Sequence, residues 1–251
     1  VKMPPWIKHY GDAVMMPIFL VLVYAAFIVT ADANGAARIV AAGFCLVVIV
    51  LWMGFRRLRV HAAAARFAGI GEPEPLLELA DGELTRRWLR NGDTALHIYR
   101  AMAHNLAGRP EEARKALDAA KLRIGARSSR SWQLLWATAD IDTRTQLGDA
   151  AGARATFESI VVPFVQVMPA RGIELMASEC EARVRLAEGD AAGARALIAP
   201  MVKNIRLGPG ARAQAYAILA HCEVALGDAA AASAAAAKAR ELAPKAMLVR
   251  A

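Results

Sequence analysis

The string GDAAGARA stands at Gly148–Ala155 and again, unchanged, at Gly189–Ala196. Each copy lies where an apolar helical run ends and a run of small residues begins. Looser versions of the same passage occur at LAGRPEEARKAL, from Leu106 to Leu117, and at LGDAAAASAAAA, from Leu226 to Ala237. The four glycines are Gly108, Gly148, Gly189 and Gly227, with spacings of 40, 41 and 38. A period in this range marks stacked helical units, because one such unit cannot bury its own apolar face and needs a neighbour as the missing wall. Helix pairs of this kind constrain the fold more than any other feature of the chain.

The turn chemistry explains the recurrence. Glycine closes a first helix where φ > 0 is often required. Asp149, Asp190 and Asp228 follow, each placed to cap a second helix. Pro110 takes the first helical turn of the earliest pair, where its missing N–H costs nothing. Ala113, Ala153, Ala194 and Ala232 stand five residues after the glycines, small enough for the two helices to approach closely.

This pattern resembles the tetratricopeptide repeat over Asp93–Pro244. In that family a glycine ends helix A, a small residue stands five positions on in helix B, and an apolar residue follows four later. Leu117, Phe157, Ile198 and Ala236 hold that last position here. Pro244 matches the family's proline after helix B, and Pro163 and Pro200 match it loosely. The family's helix-A Trp, Leu-Gly and Tyr are mostly missing, and the period exceeds the usual length of roughly 34 residues. The resemblance implies an all-α solenoid of four helical pairs, whose concave groove is lined by the first helix of each.

The N-terminal quarter reads differently. Residues 13–31 hold 19 uncharged positions and residues 39–55 hold 17. As helices these reach roughly 28 Å and 26 Å, close to a hydrocarbon core of ~30 Å. The intervening DANGAAR permits only a tight hairpin. Lys2 and Lys8 precede the pair, and Arg56, Arg57, Arg59 and Arg66 follow it. The positive-inside rule then places both termini in the cytoplasm of a bacterial inner-membrane protein. A rival reading takes residues 1–33 as a signal peptide, with Ala31-Asp32-Ala33 as its cleavage site. The expected organisation is a transmembrane hairpin over 1–59, a linker with short helices over 60–92, the solenoid over 93–244 and a tail over 245–251. A membrane hairpin followed by such repeats is similar in layout to the HemY-type membrane-anchored proteins of proteobacteria.

Catalytic patterns do not stand out. There is no GxGxxG, P-loop, HExxH or GxSxG. Cys45, Cys180 and Cys222 are scattered, without a CxxC, and read as helix packing. His97 and His104 are two turns apart, too far to share a metal without other ligands. In His221-Cys222-Glu223, neighbouring side chains point in different directions. A net charge of +8 favours an acidic partner or anionic surface. Nucleic-acid binding would need aromatics interleaved with the basic residues, and Arg123, Arg127 and Arg130 have only Trp132 nearby.

A binding surface is what remains. Phasing from the turn glycines points Met102, Asn105, Thr138, Asp142, Glu179, Arg183 and His221 outward from the first helices. Trp132 and Trp136, four apart on one face, are either core anchors or a partner hot spot. The family's carboxylate clamp uses Lys and Asn on these helices. Only Asn105 has a counterpart, so capture of an acidic C-terminal tail is not expected. Arg56, Arg57 and Arg59 read as topology determinants and contacts for anionic lipid headgroups. The expected function is a non-enzymatic scaffold or accessory subunit without a cofactor. It would bind an integral membrane complex, with a cytoplasmic protein as a further partner and no nucleic acid. The alternatives are a cofactor-handling or enzymatic component, tetrapyrrole-related by the HemY-type layout, and a structural subunit whose hairpin completes a membrane assembly.

Overall fold

A computed structural model describes residues 35–85, 93–124, 130–204 and 207–246. These residues form helices and turns, with no strand among them. The chain divides into two units, Val1–His61 and Ala62–Ala251.

In the first unit the described residues belong to α1, Gly35–Ile70, whose 36 residues continue into the second unit. Phe44, Leu46, Val47, Val50, Leu51, Met53, Phe55 and Leu58 are exposed on it. The guanidinium of Arg56 lies 5.8 Å from the centre of the Trp52 ring, and that of Arg59 lies 6.0 Å from that of Phe55. Each is an i, i+4 cation–π pair along the helix. Arg57 and Arg59 are exposed and Arg56 is half-buried.

The expectation of a transmembrane hairpin and a multi-pass inner-membrane location, with both termini cytoplasmic, is corrected here. No helix among the described residues is long and apolar enough to cross a membrane. The physical reason lies in how α1 is built. Its uncharged stretch, residues 39–55, is 17 residues long, at the lower limit of the roughly 20 that a span requires. The helix then runs without a break through Arg56, Arg57, Arg59, His61 and Arg66. The other expected span, residues 13–31, lies outside the described residues, as do the proposed cleavage site and residues 32–34 of the link, whose remaining residues 35–38 begin α1.

The stretch expected to hold a linker with short helices is helical over most of its described residues. Its break falls at Gly71, φ +68°. Beyond it α2 covers Pro73–Thr85.

Four helix pairs follow. The first is α3 (Asp93–Leu106) with α4 (Pro110–Lys121). The second opens with α5 (Arg130–Gln146). Its return helix is α6 (Ala150–Thr156), a π turn (Phe157–Val161) and α7 (Val162–Val167). The third is α8 (Arg171–Ala187) with α9 (Ala191–Val202). The fourth is α10 (Pro209–Ala225) with α11 (Ala229–Leu242). At the π turn the Val162 amide donates to the Phe157 carbonyl five residues back, just ahead of Pro163, which has no N–H to offer.

The turns obey one local rule. Gly108, Gly148, Gly189 and Gly227 all have positive φ, from 67° to 89°. The amide after each closes back onto the carbonyl five residues before it, as when Asp149 donates to Arg144 at 2.9 Å and Asp190 to Arg185 at 2.8 Å. Asp149, Asp190 and Asp228 then accept from the backbone amides of Gly152, Gly193 and Ala231, each at 2.9 Å. The alanines five residues past the glycines are buried.

Gly152 and Gly193 are present for a different reason. Arg144, four residues before its turn glycine, reaches across the turn to Asp149 at 2.6 Å. A Cβ on Gly152 would lie 2.1 Å from that guanidinium and 2.2 Å from the Asp149 carboxylate. In the third pair Arg185 and Asp190 occupy the same places, and a Cβ on Gly193 would lie 2.8 Å from Arg185. Where the arginine is absent the second glycine is absent too. The first pair has His104 with Glu112, and the fourth has Glu223 with Ala231.

The arginine inside the octamer ties one pair to the next. Arg114, Arg154 and Arg195 each stand six residues past a turn glycine. Arg114 meets Asp140 at 3.4 Å, and Arg195 meets Glu223 at 2.9 Å. Arg154 grips Glu188 with two hydrogen bonds, one of 2.8 Å from Nε. Between these ion pairs the apolar contacts run from pair to pair. Ile98, Leu117, Trp136, Ile141, Phe157 and Val184 share one buried cluster, and Ile198, Met201, Ile218 and Cys222 share another. Each first helix also packs against the next first helix.

The end of α1 meets the last pair. A Cβ on Gly210 would stand 2.1 Å from the Gly69 carbonyl oxygen, so only glycine permits that backbone approach. Nearby, Lys245 pairs with Glu72 at 2.9 Å.

Candidate functional site

The first helices α3, α5, α8 and α10 each give side chains to one groove of about 490 Å³. Its polar residues are Asn105, Asp142, Thr145, Gln146, Arg183, Gln214 and His221, set among Leu106, Leu186, Ala187, Ala217 and Ile218. The volume falls within the range typical of ligand sites.

The polar residues are held by one another. Arg183 donates to Asp142 at 2.5 Å across the α5–α8 contact, and to Glu179 one turn back at 3.0 Å. Gln146 also donates to Asp142, at 3.2 Å. Burial on its own would ease the Arg183 proton off. The carboxylates of Asp142 and Glu179 outweigh it, so the guanidinium stays charged more firmly than usual. On α3, Asn105 is buried. It donates to the Ala139 carbonyl at 3.2 Å and accepts from the Thr143 hydroxyl at 3.1 Å. His221 is exposed on α10.

Of the residues expected on the binding face, Asn105, Asp142, Arg183 and His221 line this groove. Met102 instead packs, half-buried, against the core. Thr138 is half-buried and its hydroxyl donates to the Leu135 carbonyl at 2.9 Å, while Glu179 supports Arg183. The tryptophans separate. Trp136 is a core residue, 7 % exposed, and its indole N–H donates to the Leu117 carbonyl at 3.1 Å. Lys121 lies over its ring at 5.4 Å. Trp132 is half-buried against Tyr99, edge to face, with ring centres 6.3 Å apart.

Thr145, Leu186, Gln214, Ala217 and Ile218 were not anticipated from sequence. Part of the signal was present. Asn105, Thr145 and Leu186 all stand three residues before a turn glycine, and Asp142, Arg183 and His221 stand six before. On α3, α5 and α8 the groove therefore lies toward the turn end, which leaves Thr138 and Glu179, a further turn back, outside it, while on α10 it reaches back to Gln214.

No metal-holding group of His, Cys, Asp and Glu occurs among the described residues. Burial pushes the Cys180 thiol up, and it pushes Cys222 up to about 11. Both are packed, protonated thiols rather than nucleophiles. A second, smaller depression of about 290 Å³ lies beside the π turn, lined by Arg130, Gln133, Ile160, Phe164 and Met168 among others. Comparisons with protein-family models, curated proteins and solved structures give no match to this chain.

Proposed function

We propose that the chain is a tetratricopeptide-like solenoid acting as a non-enzymatic scaffold, and that its groove takes an extended segment of a protein partner. The observation that carries this reading is the placement of Asn105, Asp142, Arg183 and His221. Four successive first helices each contribute one of them to a single groove. A surface built from one residue per unit suits a linear ligand, because successive side chains of an extended segment meet successive helices. The mutual pairing of Asp142 with Arg183 and of Asn105 with Thr143 supports it further, since preorganised polar groups cost less to dock against. Membrane attachment forms no part of this proposal.

The test is site-specific photo-crosslinking in living cells. A benzophenone amino acid is placed at Thr145 or Gln214 in the groove, and at Lys115 or Ser233 on exposed faces of second helices. The expected result is a discrete protein adduct from the groove positions and none from the other two. Adducts from Lys115 and Ser233 alone would place the partner elsewhere and end the scaffold-groove reading.

A further inference from the structure

The chain between Ala62 and Thr85 ties the two ends of the solenoid together. Its middle, Gly69 to Glu72, lies against the fourth pair. A Cβ on Gly210 of α10 would stand 2.1 Å from the Gly69 carbonyl oxygen and 3.0 Å from the Ile70 nitrogen. A Cβ on Gly71 would stand 2.8 Å from that of Ala243 and 3.4 Å from that of Ala246, just beyond α11. Lys245 pairs with Glu72 at 2.9 Å. The later part of this strap, α2, packs along α3 of the first pair, with Leu76 and Ala80 wholly buried. The two attachments differ in strength. A full helix–helix contact holds α2. Glycines and alanines make the hold on the fourth pair, and they offer few atoms for dispersion. The one ion pair there has a lysine that is 59 % exposed, and such pairs contribute little. The fourth pair is itself lightly built, since every buried residue of α11 is an alanine. Its α10 is the last wall of the groove, through Gln214, Ala217, Ile218 and His221. Gln214 stands one turn beyond Gly210, so the strap and the groove meet the same end of that helix.

We propose that Gly69 to Glu72 form a clasp that sets the width of the groove. Closed, the clasp holds α10 at a fixed distance from α3, because α2 carries the other end of the same short strap. Released, it lets the fourth pair swing away from the first, and the groove opens along its α10 wall. The closed clasp and the narrow groove are one state, so whatever favours one favours the other. The helix α1 runs without a break into Gly69 and Ile70, so an event at that helix acts directly on the clasp. The clasp does not depend on what the groove takes.

Pulsed electron–electron double resonance on the full chain tests the clasp. Nitroxides are coupled to p-acetylphenylalanine at Lys115 of α4 and Ser233 of α11, both exposed, which leaves the cysteines untouched. A second labelled pair, Lys115 with the exposed Ser159, spans the first and second helix pairs as the control. Lys245→Glu sets a like charge beside Glu72 and Glu74. Gly210→Ala drives a Cβ into the Gly69 carbonyl. The exchange of Glu72→Lys with Lys245→Glu restores the attraction. The expected result is one narrow Lys115–Ser233 distance in the full chain, longer by about 5 Å or more in each single-site variant. The exchanged chain returns to the narrow distance, and the control distance stays fixed throughout. An unchanged Lys115–Ser233 distance in either single-site variant overturns the clasp, because the stack alone then holds the fourth pair. Failure of the exchange to restore the distance overturns it as well, since the charge then acts elsewhere. So does movement of the control pair, which means that the whole stack loosens. None of these results bears on whether the groove takes a partner, for which the photo-crosslinking is the separate test.

Discussion

Asp140 and Glu181 hold the same place in consecutive units, eight residues before the turn glycine, and each pairs with an arginine one turn on. Their surroundings differ. Asp140 is 1 % exposed and accepts from Arg144 at 2.6 Å, from Thr156 at 2.8 Å and from Arg114 of the preceding pair at 3.4 Å. Glu181 is 28 % exposed, and its Arg185 is 37 % exposed. Breaking a buried ion pair from one side costs about 3–5 kcal/mol because the remaining charge is stranded. Arg144 and Arg114 are 21 % and 24 % exposed, and Arg144 retains Asp149, so water and that second partner relieve part of the penalty. The lower end, about 3 kcal/mol, is therefore expected for Asp140→Ala. For Glu181→Ala the expectation is below about 1 kcal/mol, as for other pairs open to solvent. The assay is urea unfolding of the full chain followed by circular dichroism at the helical band, with matched slopes as the check that one transition is being compared. Equal losses for the two variants, or a loss under about 1 kcal/mol for Asp140→Ala, would refute the claim that burial rather than pairing sets the cost.

Two further outcomes follow from local features. Gly148→Ala should destabilise the chain by about 1–2 kcal/mol, because φ is +78° there and a Cβ is strained in that region even though the space around it is open; a change in melting midpoint of under a degree would contradict this. His104 is held below its ordinary pKa of 6.5, first by burial and then by Arg100, with Arg109 acting the same way and Glu112 and Asp81 opposing. Its neutral form is the one that fits, so its contribution is complete above pH 6.5 and is lost as the pH falls through the lowered value. Stability should therefore decline as the pH falls from 6.5 through that lowered value, and His104→Gln should flatten the decline in a pH series of urea midpoints; an unchanged slope would show that His104 does not titrate with folding.

Helix ends were legible because their causes are local. A glycine needed for positive φ and an aspartate one residue later depend only on the few residues of the turn, and the octamer displays both. The staples made by Arg114, Arg154 and Arg195 were also written in fixed register, six residues past each glycine. Their partners Asp140, Glu188 and Glu223 stand at different places in the following units, so pattern matching alone did not expose them. The groove was legible by half. Three of the four positions six residues before the glycines line it, while the fourth, Met102, packs against the core, and how far the groove extends along each helix depends on how neighbouring helices pack. The apolar stretch 39–55 misled because hydropathy measures composition. Whether an apolar run spans a bilayer depends also on its length, and the charge-free run in α1 ends at Arg56 after 17 residues, at the lower limit for a span.

By itself, then, the chain determined an all-helical structure and the position and chemistry of its turns, since those follow from backbone strain and capping over a handful of residues. Packing alone decided that Asp140 is buried while Glu181 meets water, that Trp136 faces the core, and that Arg183 spends its charge on Asp142 and Glu179. Each of those depends on which helix lies alongside at a distance of dozens of residues in sequence, and burial, unlike a cap, is set by neighbours the local sequence does not contain.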